Sequence, residues 1–157
     1  MYEVTVSSPV GPLRLKASEE ALVGIHFLRG RPDSPTRPDA AMVPVLADTA
    51  RQLDEYFAGK RTTFALPLAP EGSAFQRQVW EALLEIPFGG TMSYGELARR
   101  IGQPAAVRAV GAANGQNPIA IVIPCHRVIG STGRLVGFGG GLETKGFLLR
   151  LEAGALF

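Results

Sequence analysis

A change in hydrophobic periodicity near residue 70 constrains the fold of this chain more than any other feature. Before it, residues 2–6 alternate between apolar and polar side chains, which is typical of a half-buried strand. After it, apolar residues recur at helical spacing from Phe75 onward. Residues 69–72, which include a proline and a glycine, are the predicted linker. We therefore expect a small α/β domain over residues 1–70 and a mostly helical domain over 73–157.

The N-terminal half is predicted to contain four strands and one helix. The expected strands are residues 2–6, 13–16, 22–28 and 64–68. Residues 29–38 are rich in proline and charge and are expected to form an exposed loop. A helix is predicted over 43–57, with Gly59 just beyond its end. Its predicted apolar face carries Leu46, Ala50, Leu53 and Phe57.

The composition excludes several classes of protein. Of the 157 residues, 46% are apolar and 19% charged, which supplies a core and argues against intrinsic disorder. The single cysteine excludes a disulfide framework and a multi-cysteine zinc site, so no metal is expected, and no cofactor is expected because the sequence shows no cofactor-binding motif. No apolar run reaches the roughly 18–20 residues of a membrane span. The N-terminus also lacks the pattern of a secretory signal, so we expect a cytoplasmic protein.

Charge is distributed unevenly between the two halves. Residues 1–72 hold 8 Lys/Arg and 9 Asp/Glu, whereas residues 73–157 hold 8 and 5, a balance of +3. The second half also contains 14 of the 19 glycines and no aspartate. A mildly basic half is compatible with an anionic partner such as nucleic acid. An ordinary solvated surface explains the same charge equally well.

Two short helices joined by a tight turn are predicted in the second half. Ser93 and Glu96 have the spacing of a capping box and open a helix over 94–101. A turn at Gly102-Gln103-Pro104 leads into another helix that runs to about residue 114. This pattern is typical of a DNA-binding helix-turn-helix. A plain helical hairpin is the alternative.

The only cysteine lies where a strand is predicted to end. Residues 119–123 form an apolar run typical of a buried strand, and Pro124 stops its ladder pairing just before Cys125. Because neighbouring side chains on a strand point to opposite faces, Cys125 and His126 can cooperate only across a backbone bend or a bridging water. A nucleophilic thiolate is one interpretation, and a buried small hydrophobe is the other. His26, the other histidine of the chain, is interpreted as structural.

These motifs resemble those of the 6-O-methylguanine-DNA methyltransferases, which repair alkylated DNA. Pro124-Cys125-His126-Arg127-Val128 is similar to the family's active-site motif. Matching segments, in the family's order, are Ala74-Phe75-Gln76 through Trp80, Ile86-Pro87-Phe88-Gly89, Ser93-Tyr94, Arg108-Ala109-Val110-Gly111 and Asn117-Pro118. The resemblance covers nearly all of residues 73–157. It implies a ribonuclease-H-like α/β domain followed by a winged helix-turn-helix domain.

The resemblance also implies the reaction. Cys125 would attack the alkyl carbon on guanine O6, and also on thymine O4, in double-stranded DNA that contains alkylated bases. His126 would act as its base through a water, and Glu152 would orient that histidine. Displacement at a saturated carbon leaves a thioether, which water does not hydrolyse at neutral pH. One protein, expected to be a monomer, would therefore be consumed for each lesion.

Three further residues receive roles from the resemblance, each beside a structural alternative. Tyr94 would donate a hydrogen bond to the flipped base, or simply pack near a helix start. Asn117 would tie the active-site turn to the helix-turn-helix, or only form a turn before proline. Lys145 would lie near the guanine pocket, or be a solvated helix lysine. For Glu152, the alternative is an exposed carboxylate at a helix end.

Contact with DNA is expected from four residues. Arg108 would enter the duplex and fill the gap left by the extruded nucleotide, while small neighbours such as Ala109 allow the helix to approach the backbone in the minor groove. Ser93 and Arg127 are assigned to the same surface. The other small residues of this helix region are Ala105, Ala106, Ala112 and Ala113. An ordinary exposed helix arginine is the alternative for Arg108.

The chain departs from the family after the active site. The family often has a tyrosine and a small hydroxyl residue or alanine before the glycine pair, whereas here the run is Phe138-Gly139-Gly140-Gly141. This difference leaves the substrate preference open. Two rival functions also remain: a non-catalytic alkylated-DNA sensor or DNA-binding regulator, and a cysteine hydrolase that uses Cys125 and His126. The acceptor cysteine argues against the sensor, and the adjacency of Cys and His argues against the hydrolase.

Overall fold

The computed structural model describes residues 1–31, 43–135 and 137–154. Three strands near the N-terminus, β1 (Tyr2–Val6), β2 (Leu13–Ala17) and β3 (Leu22–Phe27), form an antiparallel sheet in that order. The strand predicted over residues 2–6 is confirmed as β1, and the ends of β2 and β3 lie within one residue of their predicted bounds. Most of the predicted loop over 29–38 lies outside the described residues.

Helix α1 (Pro44–Phe57) packs against this sheet. Its proline occupies the first turn, where no backbone N–H is needed. The side chains that α1 buries are Val45, Leu46, Thr49, Gln52, Leu53 and Tyr56. The predicted face is therefore partly wrong, because Ala50 and Phe57 are only half-buried and the helix is rotated toward Gln52 and Tyr56. That rotation directs Tyr56 toward the C-terminal half of the chain.

The second half is mainly helical. It consists of α2 (Ala74–Leu83), β4 (Met92–Ser93), α3 (Tyr94–Arg100), α4 (Val107–Gly115), β5 (Val128–Ile129) and α5 (Leu142–Glu152). Capping boxes open α2 at Ser73 and α3 at Ser93, as predicted by the spacing of Ser73 and Gln76 and by that of Ser93 and Glu96. The Trp80 indole of α2 donates to the Ala113 carbonyl of α4 over 2.8 Å, which ties the two helices together. Among the described residues, no helix is long and apolar enough to cross a membrane.

The strand predicted over 64–68 is wrong. Only Leu68 forms a bridge, with Leu22 of β3. Farther back, the Gln52 carboxamide donates to the Ala65 carbonyl at 3.1 Å and accepts from its amide at 2.9 Å. A buried side chain thus satisfies the backbone groups that a neighbouring strand would otherwise pair.

The strand predicted over 119–123 is also wrong. Ile119 makes a single bridge to Ile25, and the chain then turns, with Ile121 at φ 73°. The Asn117 side chain accepts from the Ile119 amide at 3.0 Å and donates to the Ile123 carbonyl at 2.8 Å. The apolar residues of this segment are buried as predicted, but a side-chain amide closes a tight turn where we expected a ladder.

Candidate functional site

Cys125 begins a single 3-10 turn, Cys125–Arg127, between the tight turn that Asn117 closes and β5. The backbone therefore bends at the cysteine, which meets one of the two conditions for Cys125 and His126 to cooperate. Cys125 is a free cysteine that is 6% exposed, and it lines a cavity of about 150 Å³. The same cavity is lined by Asn114, Asn117 and residues 137–140, and on the opposite side by residues 25–27 of β3. The site thus combines a buried thiol with a partly open pocket whose walls come from both halves of the chain.

The ionisation of the thiol is set by opposing influences. Burial raises the pKa of Cys125, whereas a hydrogen bond from Asn117 and the positive charge of Lys145 lower it. The net effect is a raised pKa, so the thiol is protonated at neutral pH and needs a base. Lys145 is itself fully buried on α5, and burial lowers its pKa. An ammonium in this position favours the thiolate once it forms.

That base is placed one residue along the turn. His126 is fully buried, and its Nε2 lies 2.7 Å from Oε2 of Glu152 on α5. Because a carboxylate only accepts hydrogen bonds, Nε2 carries the proton and Nδ1 is left as the basic nitrogen. Nδ1 is buried and has no hydrogen-bond partner among the described residues. The pKa of His126 is lowered by burial, against the opposing effect of Glu152, so the imidazole is neutral at pH 7.

Glu152 is the centre of a buried network. Arg127 donates to Oε1 through Nε at 2.7 Å and to Oε2 through Nη2 at 3.0 Å. The Tyr56 hydroxyl donates to Oε2 at 2.6 Å. Burial alone would raise the pKa of the Glu152 carboxyl, but the hydrogen bonds from His126, Arg127 and Tyr56 outweigh it and lower the pKa to about 2. The carboxylate therefore stays charged, and the exposed carboxylate considered from sequence is excluded, since Glu152 is buried.

The structure does not support the DNA-binding role predicted for Arg127. Its guanidinium is buried, chelates Glu152, and donates through Nη1 to the Ile86 carbonyl at 2.7 Å. It also lies 5.9 Å from the centre of the Phe88 ring. These contacts hold the guanidinium of Arg127 inside the protein.

Tyr94 and Asn114 complete the protein surface around Cys125. Tyr94 is the first residue of α3 and is half-buried against Gly111 of α4. Burial raises the pKa of its phenol, as does the negative charge of Cys125 when the thiol ionises, and both outweigh a hydrogen bond with Asn114, so the phenol remains a hydrogen-bond donor. Asn114, near the end of α4, donates to the Cys125 carbonyl at 3.4 Å. The helix-turn-helix pair is therefore connected directly to the reactive turn.

The remaining predicted DNA-binding residues lie outside this cavity. Arg108 and Ala109 are exposed on the first turn of α4. Ser93 caps α3 by accepting from the Glu96 amide at 3.1 Å. Ala105 and Ala112 are also exposed, so this part of α4 presents small side chains around a single arginine.

Sequence reasoning missed Tyr56, Asn114 and Arg29. Tyr56 lies 96 residues from Glu152 along the chain, although its spacing from Thr49 and Gln52 would have placed it on the buried face of α1. Asn114 is a polar residue at a helix end, without a local signal for its contact with Cys125. Arg29 donates through Nη1 to the Gly139 carbonyl, 110 residues away, at 3.0 Å. Such long-range pairs carry no local pattern.

Comparison with known proteins agrees with this geometry. The family description "6-O-methylguanine DNA methyltransferase, DNA binding domain" matches residues 74–154, and "6-O-methylguanine DNA methyltransferase, ribonuclease-like domain" matches residues 1–70. The chain is 48% identical over 157 residues to the methylated-DNA--protein-cysteine methyltransferase of Methanosarcina acetivorans, which covers 97% of this chain and 98% of the relative. The relative from Mycolicibacterium paratuberculosis with the same name is 50% identical over 149 residues, or 94% of this chain and 90% of the other.

Solved structures agree as well. The crystal structure of Mycobacterium tuberculosis OGT in complex with DNA is similar with a TM-score of 0.89 and 46% identity, covering 98% of this chain and 94% of the other. The fold is therefore an N-terminal sheet domain followed by a helical DNA-binding domain. With both family descriptions matched, the chain belongs to the 6-O-methylguanine DNA methyltransferase family.

Proposed function

We propose that this chain repairs alkylated DNA by transferring a methyl or larger alkyl group from guanine O6, and from thymine O4, to Sγ of Cys125. Transfer of an alkyl group from DNA to a protein cysteine is the reaction of its family. The observation that carries the assignment of the acceptor is the position of Cys125. Its thiol lies in the wall of a cavity and is followed directly by a buried histidine bonded to a carboxylate.

The proton and the electrons of the transfer can be followed through named groups. His126 Nδ1 takes the thiol proton through a water, and Glu152 compensates the positive charge that develops on the imidazole. The sulfur then attacks the alkyl carbon, so that an S–C bond forms as the C–O6 bond breaks and its electron pair passes to guanine. Tyr94 donates a hydrogen bond to the departing guanine, and Lys145 stabilises the thiolate. The guanine takes one proton from the solvent as it leaves, and His126 returns the thiol proton to the solvent, so the transfer balances.

The product determines the stoichiometry. A thioether is not hydrolysed at neutral pH, and the chain contains no second cysteine that could exchange with Cys125. Each molecule therefore repairs one lesion.

The helix-turn-helix supplies the interaction with DNA in this proposal. Arg108 and Ala109 on α4 are exposed together, which supports their approach to the minor groove, and Ser93 caps the N-terminus of α3. Asn117 closes the turn that precedes Cys125 and hydrogen-bonds the thiol, while its backbone amide donates to the Asn114 carbonyl of α4 at 3.3 Å. The remaining parts of the proposal are domains of residues 1–70 and 73–157, a monomeric protein and a cytoplasmic location.

A mass measurement tests the acceptor. After incubation with an oligonucleotide duplex containing O6-methylguanine, the intact protein should gain one methyl group, and peptide mapping should place it on Cys125. Cys125→Ser should gain nothing while still binding the alkylated duplex. A wild-type protein that binds the duplex without gaining mass would instead be a sensor, and turnover beyond one equivalent on a thioester would indicate a hydrolase. Methylation of the Cys125→Ser variant would refute the acceptor assignment.

A further inference from the structure

Arg29 has an uncommon backbone conformation just beyond β3. Its φ is 51°, in the left-handed region that side chains other than glycine seldom adopt. Such a conformation costs free energy and persists where surrounding contacts hold it. Arg29 and Gly30, at φ 77°, are the central residues of a turn that the Arg31 amide closes onto the Leu28 carbonyl at 2.9 Å. From this turn the Arg29 side chain makes a long-range contact, since Nη1 donates to the Gly139 carbonyl at 3.0 Å.

The segment that accepts this bond, residues 138–141, is fitted closely to the end of β3. A Cβ on Gly140 would lie 2.8 Å from both the Phe27 and the Phe138 ring, and a Cβ on Gly141 would lie 3.1 Å from Arg29 Nη2. The two phenyl rings meet edge to face, with their centroids 5.5 Å apart. Gly140 leaves room for the two rings, and Gly141 adopts a φ of 91° that favours glycine, so both glycines suit the docking of this segment on the N-terminal domain.

The docked segment is part of the candidate site. Residues 137–140 line the cavity beside Cys125, and Gly141 leads directly into α5, which carries Lys145 and Glu152. Within the part of the chain that the structure describes, the Arg29 side chain of the N-terminal half donates a hydrogen bond to this segment. Movement of the segment would therefore change the shape of the pocket.

We propose that Arg29 is a positioning residue that latches residues 138–141 onto the N-terminal domain and keeps the base pocket in its binding-competent form. The proposal deepens the function proposed above and rests on it. Without the latch, the pocket is competent for only a fraction of the time, and apparent affinity for a base falls by that fraction. The chemistry at Cys125 is unchanged in the competent fraction, so the maximal rate is preserved.

The expected size follows from the bond. A hydrogen bond from a charged donor to a carbonyl contributes at most a few kcal/mol, and less when exposed as this one is. Loss of the latch should therefore raise the half-saturating base concentration by about three- to tenfold.

Three variants test the latch with free O6-benzylguanine, a probe that occupies the base pocket without needing contact with the DNA-binding helices. Arg29→Gly removes the side chain while glycine accepts the φ of this position. Arg29→Lys keeps one donor, and Arg51→Ala removes an exposed charge from the same domain as a matched control. The dependence of the transfer rate on base concentration separates the half-saturating concentration from the maximal rate.

Arg29→Gly should raise the half-saturating concentration while changing the maximal rate less than about twofold, and Arg29→Lys should recover part of the loss. Arg51→Ala should match wild type, and thermal unfolding of all three should stay close to wild type. An unchanged half-saturating concentration in Arg29→Gly would overturn the positioning role of Arg29 but not the proposed function. The same holds if Arg51→Ala raises the half-saturating concentration as much as Arg29→Gly does. If the wild-type protein transferred nothing from either the base or a methylated duplex, the proposed function would fall together with the latch.

Discussion

The Nε2 atom of His126 and the Oε2 atom of Glu152 lie 2.7 Å apart, with both side chains almost completely excluded from solvent. This contact fixes which imidazole nitrogen carries the proton. It leaves Nδ1 as the base, one residue from the thiol of Cys125. A protonated buried thiol and a neutral buried imidazole are a matched donor and acceptor at neutral pH.

This pairing predicts the pH dependence of transfer. Burial lowers the pKa of His126 below 6.5, so the base should remain neutral, and the maximal rate should stay flat, as the pH falls from about 8 to 6.5. Single-turnover rates with a methylated duplex measure this. His126→Asn should slow transfer by about 100-fold or more. If the wild-type rate instead rose about tenfold per pH unit across this range, free thiolate would be the attacking species and His126 would not be its base.

Tyr56→Phe isolates the hydrogen bond that the N-terminal domain contributes to Glu152. The phenyl ring keeps its packing, while the 2.6 Å bond to the carboxylate is lost. We expect urea unfolding to report a loss of about 1.5–3 kcal/mol, as for hydrogen bonds to charged groups, with transfer slowed by less than about tenfold. Tyr2→Phe, which removes an exposed bond to Glu19, should cost less than about 1 kcal/mol. Equal losses in the two variants would contradict a special role for the buried bond.

Glu152 also predicts how stability depends on acid. Its pKa is lowered from 4.5 to about 2 in the folded protein, so its ionised form contributes stability above pH 4.5 that is lost as the pH falls toward 2. The contribution is at most about 3 kcal/mol, since one pKa unit corresponds to about 1.4 kcal/mol. Urea unfolding at a series of pH values measures it.

Glu152→Gln cannot titrate, so its stability should fall less steeply over the same acid range. At neutral pH this variant should already be less stable by about 3–5 kcal/mol, because Arg127 is left as a buried charge without its partner. Parallel pH curves for wild type and Glu152→Gln would show that the carboxylate is not the titrating group.

Much of the architecture could be predicted because its signals are local. Each capping box, at Ser73 and at Ser93, spans only four consecutive residues, and each opens the helix expected there. The two failed strands, 64–68 and 119–123, are apolar runs whose backbone groups bond to the side chains of Gln52 and Asn117 instead of a neighbouring strand. An apolar run indicates burial, but it does not show which partner satisfies its backbone.

In the candidate site, too, some features follow from local sequence signals and others from long-range contacts. The motif around Cys125 identified the reactive turn, whereas the fate of Arg127 depends on a carboxylate 25 residues away that only the folded chain brings near. From the sequence, Arg127 is assigned to the DNA-binding surface. In the fold it neutralises Glu152 instead. The sequence motif therefore identified the reactive residues, but the role of each residue depends on contacts that form only in the folded chain.

Arg108 provides a separate test of how the base reaches the cavity. The arginine is exposed on the first turn of α4 beside Ala109, so its side chain can enter a duplex that approaches this helix closely. If it fills the gap left by an extruded nucleotide, it offsets part of the few kcal/mol that unstacking costs. Arg108→Ala should then slow repair of a methylated duplex by about tenfold or more, because each 1.4 kcal/mol corresponds to tenfold.

A base that is already free needs no extrusion, so transfer from O6-benzylguanine to Arg108→Ala should change less than about twofold. Arg100→Ala is the matched control, since Arg100 is also exposed in the helix-turn-helix but pairs with Glu85 at 3.0 Å. Its duplex repair should stay within about twofold of wild type at the same salt concentration. Equal losses in the two variants would assign the effect of Arg108 to lost phosphate attraction, and equal losses on duplex and free base would remove it from the extrusion step.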